Sequence, residues 1–330
     1  MIIVSSQRRG KNNKIGESGR GGISTASWIK RGTWCFALLL GIRHLWISTD
    51  YILAKRQSLG FFDDITSSTW KRLQRKVLNM SPNFCQDRLE DKHEKQFSWF
   101  FQCHYEPDFV CLHEERIGKQ GDGGKWICDP HRIVKQVENR GDCLVYSIGS
   151  NNDFTFEQHV HKDIHQDCDI HTFDFGDYAD GAKEAGGKIT YHQYGLGTDE
   201  TDAKGNSFKS LSTVIEELGH QNRVIDIFKI DCEGCEWRTA EKWFEAAIKH
   251  NVMIRQIQVE VHANTPKAMH DFFDLMYDNG YVIFHKEYNM ISKELGGNCI
   301  EYAFLKLDPE FVNAEQRTKA GEALKAKIGD

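Results

Sequence analysis

Beyond residue 143 the chain alternates short apolar runs with segments whose apolar residues recur every three or four positions, as strands and amphipathic helices do in turn. LVYSI (144–148) is a compact β-prone run ending at Gly149, and FEQHVHKDI after it sets Phe156, Val160 and Ile164 on one helical face. DIHTFDF (169–175) and ITYHQYGL (189–196) predict a second and a third strand. SLSTVIEELGH places Leu211, Val214, Ile215 and Leu218 at helical spacing, with Ser210 as N-cap and Gly219 just past the end. VIDIFKI (224–230) is nearly continuous in apolar residues, as suits a strand covered on both faces. A helix is expected from Glu236, with Trp237, Ala240, Phe244, Ala247 and Ile248 turned inward. IRQIQVEV (254–261) predicts a fifth strand. Thr265 and Pro266 then open a helix as N-cap and first residue, its face being Met269, Phe272, Phe273, Met276 and Tyr277, and Asn279 and Gly280 close it. YVIFH (281–285) and IEYAFLKL (300–307) have a loop and no helix between them, which predicts an antiparallel pair at a sheet edge.

Strands joined by helical crossovers and closed by an antiparallel hairpin describe a doubly wound α/β sheet. Ahead of it, residues 65–103 read as helical, with Trp70, Leu73, Val77 and Met80 on one face. Residues 106–129, dotted with Gly118, Gly121, Gly123 and Gly124, read as loop. The expected organisation is a disordered basic N-terminus (1–33), an apolar stretch (34–53), a helical and loop extension (61–125), the α/β domain (126–308) and a charged tail (309–330).

The apolar run from Trp34 to Ile42 is shorter than the roughly 20 residues of a membrane span. The basic residues before it (Arg8, Arg9, Lys11, Lys14, Arg20, Lys30 and Arg31) suit a signal anchor with a cytoplasmic N-terminus. A short buried helix is the other reading of the same stretch. Nine of the ten cysteines follow it, which suits a domain in an oxidising Golgi or ER lumen; a cytoplasmic location is the alternative. A net charge of −6 argues against non-specific nucleic-acid binding.

In doubly wound sheets, ligands bind outside the carboxyl ends of the strands. The first strand ends in GSNNDF, where Gly149 lets a ligand approach the backbone closely. The second ends at Asp174, placed to hold the vicinal hydroxyls of a ribose. Asn151, Asp153 and Phe154 stand where a G-x-G-x-x-G turn would need further glycines, so a pyrophosphate site, and with it a nicotinamide dehydrogenase, is disfavoured. A nucleoside cofactor without phosphates, such as S-adenosyl-L-methionine, has no such need.

LVYSIGSNNDFTFE, FDF, YGLGT, SLSTVIEELGH, FKIDCEGCEW, QIQVEVH and CIEYAFLKL follow one another in the order and spacing of the FkbM-like methyltransferases, which the chain resembles over about residues 114–307. GDGGKWICDP (121–130) is similar to a stretch of the methyltransferase-like protein 24 group. The resemblance implies a Rossmann-like methyltransferase sheet, S-adenosyl-L-methionine as cofactor, and methyl transfer to an oxygen of a small-molecule or glycan acceptor. A tethered binding protein that keeps the fold without turnover is the alternative. On this reading Gly149, Ser150, Asn151 and Asp153 meet the methionine portion of the cofactor, Asp174 the ribose and Phe175 the adenine. Asp231, at the end of the fourth strand, is the first candidate for base or acceptor positioner. Glu260 and His262 are further candidates, as is Glu233, for which capping the helix near Glu236 is the competing role.

The cysteines allow other chemistry. Cys103, His104, Cys111, His113, Cys128 and His131 match no common zinc spacing, and a Cys111–Cys128 disulfide is the favoured alternative. No metal is expected. Cys232 and Cys235 read as small packing residues around a turn that needs Gly234.

Overall fold

The computed structural model describes residues 51–78, 100–102, 104–289 and 299–311. The basic N-terminus, the apolar stretch up to residue 50, Met80, Cys103 and the tail beyond 311 lie outside them. Among the described residues no helix is long and apolar enough to cross a membrane.

Helix α1 (Ser67–Leu78) buries Trp70, Leu73 and Val77, the stripe its spacing predicts. The Trp70 indole packs against Phe62, Phe109 and Phe311 and donates to Gln57 Oε1 at 2.6 Å. The extension is therefore integral to the domain: Arg255, on a central strand, donates to the carbonyls of Ser58 and Leu59, and Asp108 accepts from Ile283 N.

Residues 106–129 are not all loop. Strands β1 (Glu114–Ile117) and β2 (Lys125–Cys128) pair antiparallel across the glycine-rich turn. The buried residue that opens β2 is a lysine, so the apolar alternation that marks a strand is broken there. The hairpin also crosses the expected boundary at 125 and 126. Helix α2 (Pro130–Arg140) follows, ended by Gly141 at φ 79°.

Next come β3 (Leu144–Ile148), α3 (Thr155–His159), which runs into a single wide turn over Val160–Ile164, and β4 (Asp169–Phe173). Helix α4 (Ala179–Ala185), which the apolar spacing does not show, leads to β5 (Ile189–His192). The expected third strand ends there. Its last residues form β6 (Gly195–Leu196), which turns away to join a small sheet with β7 (Glu200–Thr201) and β8 (Ser207–Lys209).

Helix α5 (Leu211–Leu218) has the expected caps: Ser210 accepts from Thr213 N, and Gly219 adopts φ 70°. Strand β9 (Val224–Ile230) leads to α6 (Glu236–Lys249), β10 (Met253–His262) and α7 (Pro266–Asp278), the last capped by Thr265. The buried arc of α6 runs through Glu236, Thr239, Trp243 and Ala246. Ile248, two positions beyond Ala246 and so on the opposite side, is 80% exposed rather than inward. Strands β11 (Tyr281–Tyr288) and β12 (Cys299–Lys306) complete the main sheet.

That sheet has seven strands in the order β11-β12-β10-β9-β3-β4-β5. It is parallel except for β12, which lies antiparallel between β10 and β11, so the expected antiparallel pair stands at one edge with its second strand inserted inside the first. This is the doubly wound α/β sheet expected. The order reverses between β3 and β9, and a crevice opens at their carboxyl ends.

Three disulfides staple the described chain: Cys111–Cys128, Cys143–Cys168 and Cys232–Cys235. The first removes two thiols from the considered zinc set, and His113 faces Glu115 instead. The third corrects the packing role expected for Cys232 and Cys235, which are covalently joined.

The turns after β3 and β9 touch. Gly149 sits at φ 77°, and a Cβ there would overlap the Asp231 carbonyl oxygen. Both the left-handed backbone and the contact demand glycine. Gly149→Ala should lower stability by at least about 2 kcal/mol, read from the denaturant midpoint.

Candidate active site

The crevice is an open cleft of about 1040 Å³. One wall is the Gly149 turn with Ser150, Asn151 and Asp153; another is Asp174, Phe175, Leu196 and Phe208; the floor is Lys229, Asp231, Glu260 and His262. All ten residues expected from the sequence to serve cofactor or catalysis, Glu233 among them, line this cleft.

The turn is held by carboxylates. Asp174 Oδ2 accepts from the backbone N–H groups of Ser150 and Asn151, both at 2.9 Å, and Oδ1 accepts from Gly176 N at 3.0 Å. These bonds fix the turn whose central residues, Asn151 and Asn152, adopt φ 45° and 63°. Asp153 accepts from Thr155 N and Oγ1 and pairs with Lys119. A carboxylate of the chain itself thus occupies the start of α3, where free N–H groups would favour an anion. Lys229 reaches beneath the turn and donates to Gly149 O at 2.6 Å. Phe175 is half exposed, its ring 5.7 Å from that of Phe208, so the two present an apolar slot at the cleft rim.

The floor is organised by a residue the sequence reading missed. Lys125, at the start of β2, has its side chain 1% exposed and pairs with Asp231 at 3.0 Å and with Glu301. The carboxylates of Asp231, Glu260 and Glu301 lie within 4.8 Å of one another, and the Lys125 ammonium sits among them as their built-in cation. Burial opposes its charge, but Glu301, Asp231 and Glu260 outweigh that and hold it well above the usual range of an amine. The one local sign of this lysine is its place in GDGGKWICDP, between the glycine turn and the apolar Trp126 and Ile127.

Charge sorts the candidates by role. Burial would raise the carboxyl of Asp231, but Lys125 and Lys229 overcome it and hold the group far below the usual range. Asp231 is a fixed anion at neutral pH and a poor proton acceptor. Glu260, 4% exposed, is pushed up to about 7, by burial first and then by the neighbouring Asp231 charge. Its Oε1 accepts from Asn289 at 3.0 Å. Burial lowers His262, yet Glu236, Glu260 and Glu233 together raise it to about 9. Its Nδ1 bonds to the fully buried Glu236 at 3.0 Å, and its Nε2 lies 3.2 Å from Glu233. Glu233 caps no helix: α6 has no side-chain cap, and Glu233 stays exposed beside His262. Gly234, at φ 98°, meets the expected conformational need of that turn.

A family model described as a methyltransferase domain matches residues 52–306. No curated protein matches the chain. Among solved structures, the chain is similar to TrmK of M. capricolum in complex with S-adenosyl-homocysteine, at 10% identity and TM-score 0.32 over 54% of this chain and 67% of that one. An rRNA methylase from Streptococcus thermophilus matches at 8% identity and TM-score 0.34 over 54% and 94%. A precorrin-6y C5,15-methyltransferase from Geobacter metallireducens GS-15 matches at 13% and 0.30 over 53% and 86%. With the family model covering most of its length, from the extension through the inserted last strand, the chain belongs to this family of methyltransferase domains.

Proposed function

We propose that the protein is an S-adenosyl-L-methionine-dependent methyltransferase of the FkbM-like type, acting on a hydroxyl of a small-molecule or glycan acceptor. The observation that carries this reading is the pairing, in one cleft, of a phosphate-excluding turn beside Asp174 with a deep carboxylate floor. The backbone of Gly149 and Ser150 suits the amino-acid end of the cofactor, Asp174 the ribose edge, and the Phe175–Phe208 slot the adenine. The cofactor supplies a methyl group on a positively charged sulfur, for which the ionised Asp231 carboxylate is a favourable neighbour.

Methyl transfer demands alignment and, for a hydroxyl acceptor, removal of its proton as the new carbon–oxygen bond forms. Glu260, poised near neutrality, takes that proton. Asp231, permanently ionised by its two lysines, positions the acceptor hydroxyl and sustains the raised affinity of Glu260 for protons. His262, protonated in this setting, is held by Glu236 and Glu233 and places a positive charge beside Glu260. The three disulfides favour an oxidising compartment, in keeping with a lumenal domain tethered through residues 34–53.

Asp174→Ala removes the acceptor of two turn N–H groups and should weaken S-adenosyl-L-methionine binding at least about tenfold in calorimetry; unchanged affinity would remove Asp174 from the cofactor site. For turnover, kcat/KM should rise with pH through about 7 and then level, because Glu260 must be ionised to accept a proton. Glu260→Gln should abolish that limb and lower kcat by roughly 10²–10⁴-fold. Asp231→Asn removes the like charge and should move the same limb toward acid, so an unmoved limb would assign the base elsewhere. Cofactor binding by the wild-type chain with no turnover on any hydroxyl acceptor would identify it as a binding protein instead.

A further inference from the structure

The face of the sheet at the start of β4 carries a second group of titratable side chains, at the far end of that strand from the cleft. Asp169 and His171 are two residues apart, so they project from the same face. His220, just past α5, meets them, and one ligand atom from each of the three lies within 4.8 Å of the others. Both imidazoles are buried, at 6% exposure, whereas the Asp169 side chain is 43% exposed and opens the group to solvent on one side.

Each imidazole is steered through its Nδ1. That of His171 bonds to His192 Nε2 at 2.9 Å, and that of His220 bonds to the Tyr146 hydroxyl at 2.6 Å. His171 Nε2 stands 3.2 Å from Asp169 Oδ1 and is a buried atom with no well-formed hydrogen bond. Arg223 holds the other oxygen, Oδ2, at 3.3 Å, leaving Oδ1 toward the imidazoles. The Cys143–Cys168 disulfide anchors the residue immediately before Asp169. Both imidazoles are held from outside through Nδ1, and His171 turns its other nitrogen to Asp169; a ring nitrogen fixed in this way orients the opposite one as a metal ligand.

We propose that Asp169, His171 and His220 form a binding site for a divalent zinc-type ion, held by two imidazole nitrogens and one carboxylate oxygen. Two nitrogen donors disfavour magnesium and calcium, which take oxygen ligands, and suit tetrahedral zinc with a fourth position open to solvent. The ion clips β4 to the connection between α5 and β9. It is independent of the reaction proposed for the cleft, where Lys125 already supplies the cation among the carboxylates.

The test is zinc titration of the chelator-dialysed full chain, without reductant, followed by calorimetry and thermal unfolding. The expected result is about one zinc per chain and a Tm raised by roughly 5–10 °C at a hundredfold excess over Kd. Asp169→Asn and His220→Gln should each weaken binding more than about tenfold, and Tyr146→Phe by about 10–100-fold. Should His220→Gln fail to fold, Asp169→Asn, at a half-exposed position, carries the test. Absence of stoichiometric zinc, or zinc bound equally well by Asp169→Asn, overturns the proposal. So does binding lost in Cys299→Ser, which would put the ion in the cleft.

Discussion

An ammonium group with almost no access to water must be matched by carboxylates, and carboxylates crowded together out of water must be matched by cations. Lys125 and its partners satisfy both demands at once. Lys125 comes from the hairpin ahead of the sheet, Asp231 from the end of β9, and Glu301 from the inserted β12. Three segments distant in sequence are thereby tied at the point where the strand order reverses. Removing Lys125 leaves buried carboxylates without their cation, so the cleft floor and the packing of the hairpin are coupled through this one side chain. The same arrangement divides labour among acids that look alike in the sequence. Asp231 receives two lysines and stays ionised, while Glu260, raised first by burial and then by the charge of Asp231, becomes the group that titrates near neutrality.

The parallel strands were legible because burial on both faces forces apolar runs; Leu144–Ile148 is buried throughout. The caps of α5 and α7 were legible because Ser210 and Thr265 act within a few residues of their own position. What escaped depended on partners remote in sequence. The β1–β2 hairpin reads as loop because Lys125 occupies an inward position that only Asp231 and Glu301 make tolerable. The expected third strand breaks at Tyr194 because β6 finds its partner in β8, which nothing in its own residues specifies.

The site shows the same division. Strand-end position alone brought Gly149, Asp174, Asp231, Glu260 and His262 into one cleft. Their roles required charges supplied from elsewhere: two lysines for Asp231, and three glutamates for His262. Asn289, just past β11, and Cys299, which opens β12, meet the same cleft beside Glu260.

These three disulfides differ in how much of the chain they close: Cys143 and Cys168 lie 25 positions apart and Cys111 and Cys128 lie 17 apart, but Cys232 and Cys235 only 3. Restricting an unfolded chain yields less entropy the shorter the loop, so the smallest ring adds little to global stability. Its effect is confined to the turn between Asp231 and α6, where Glu233 adopts φ 54°. Among the described residues the chain is thus stapled globally by two bonds and locally by a third, and loss of the third would leave a folded protein with a slack cleft wall.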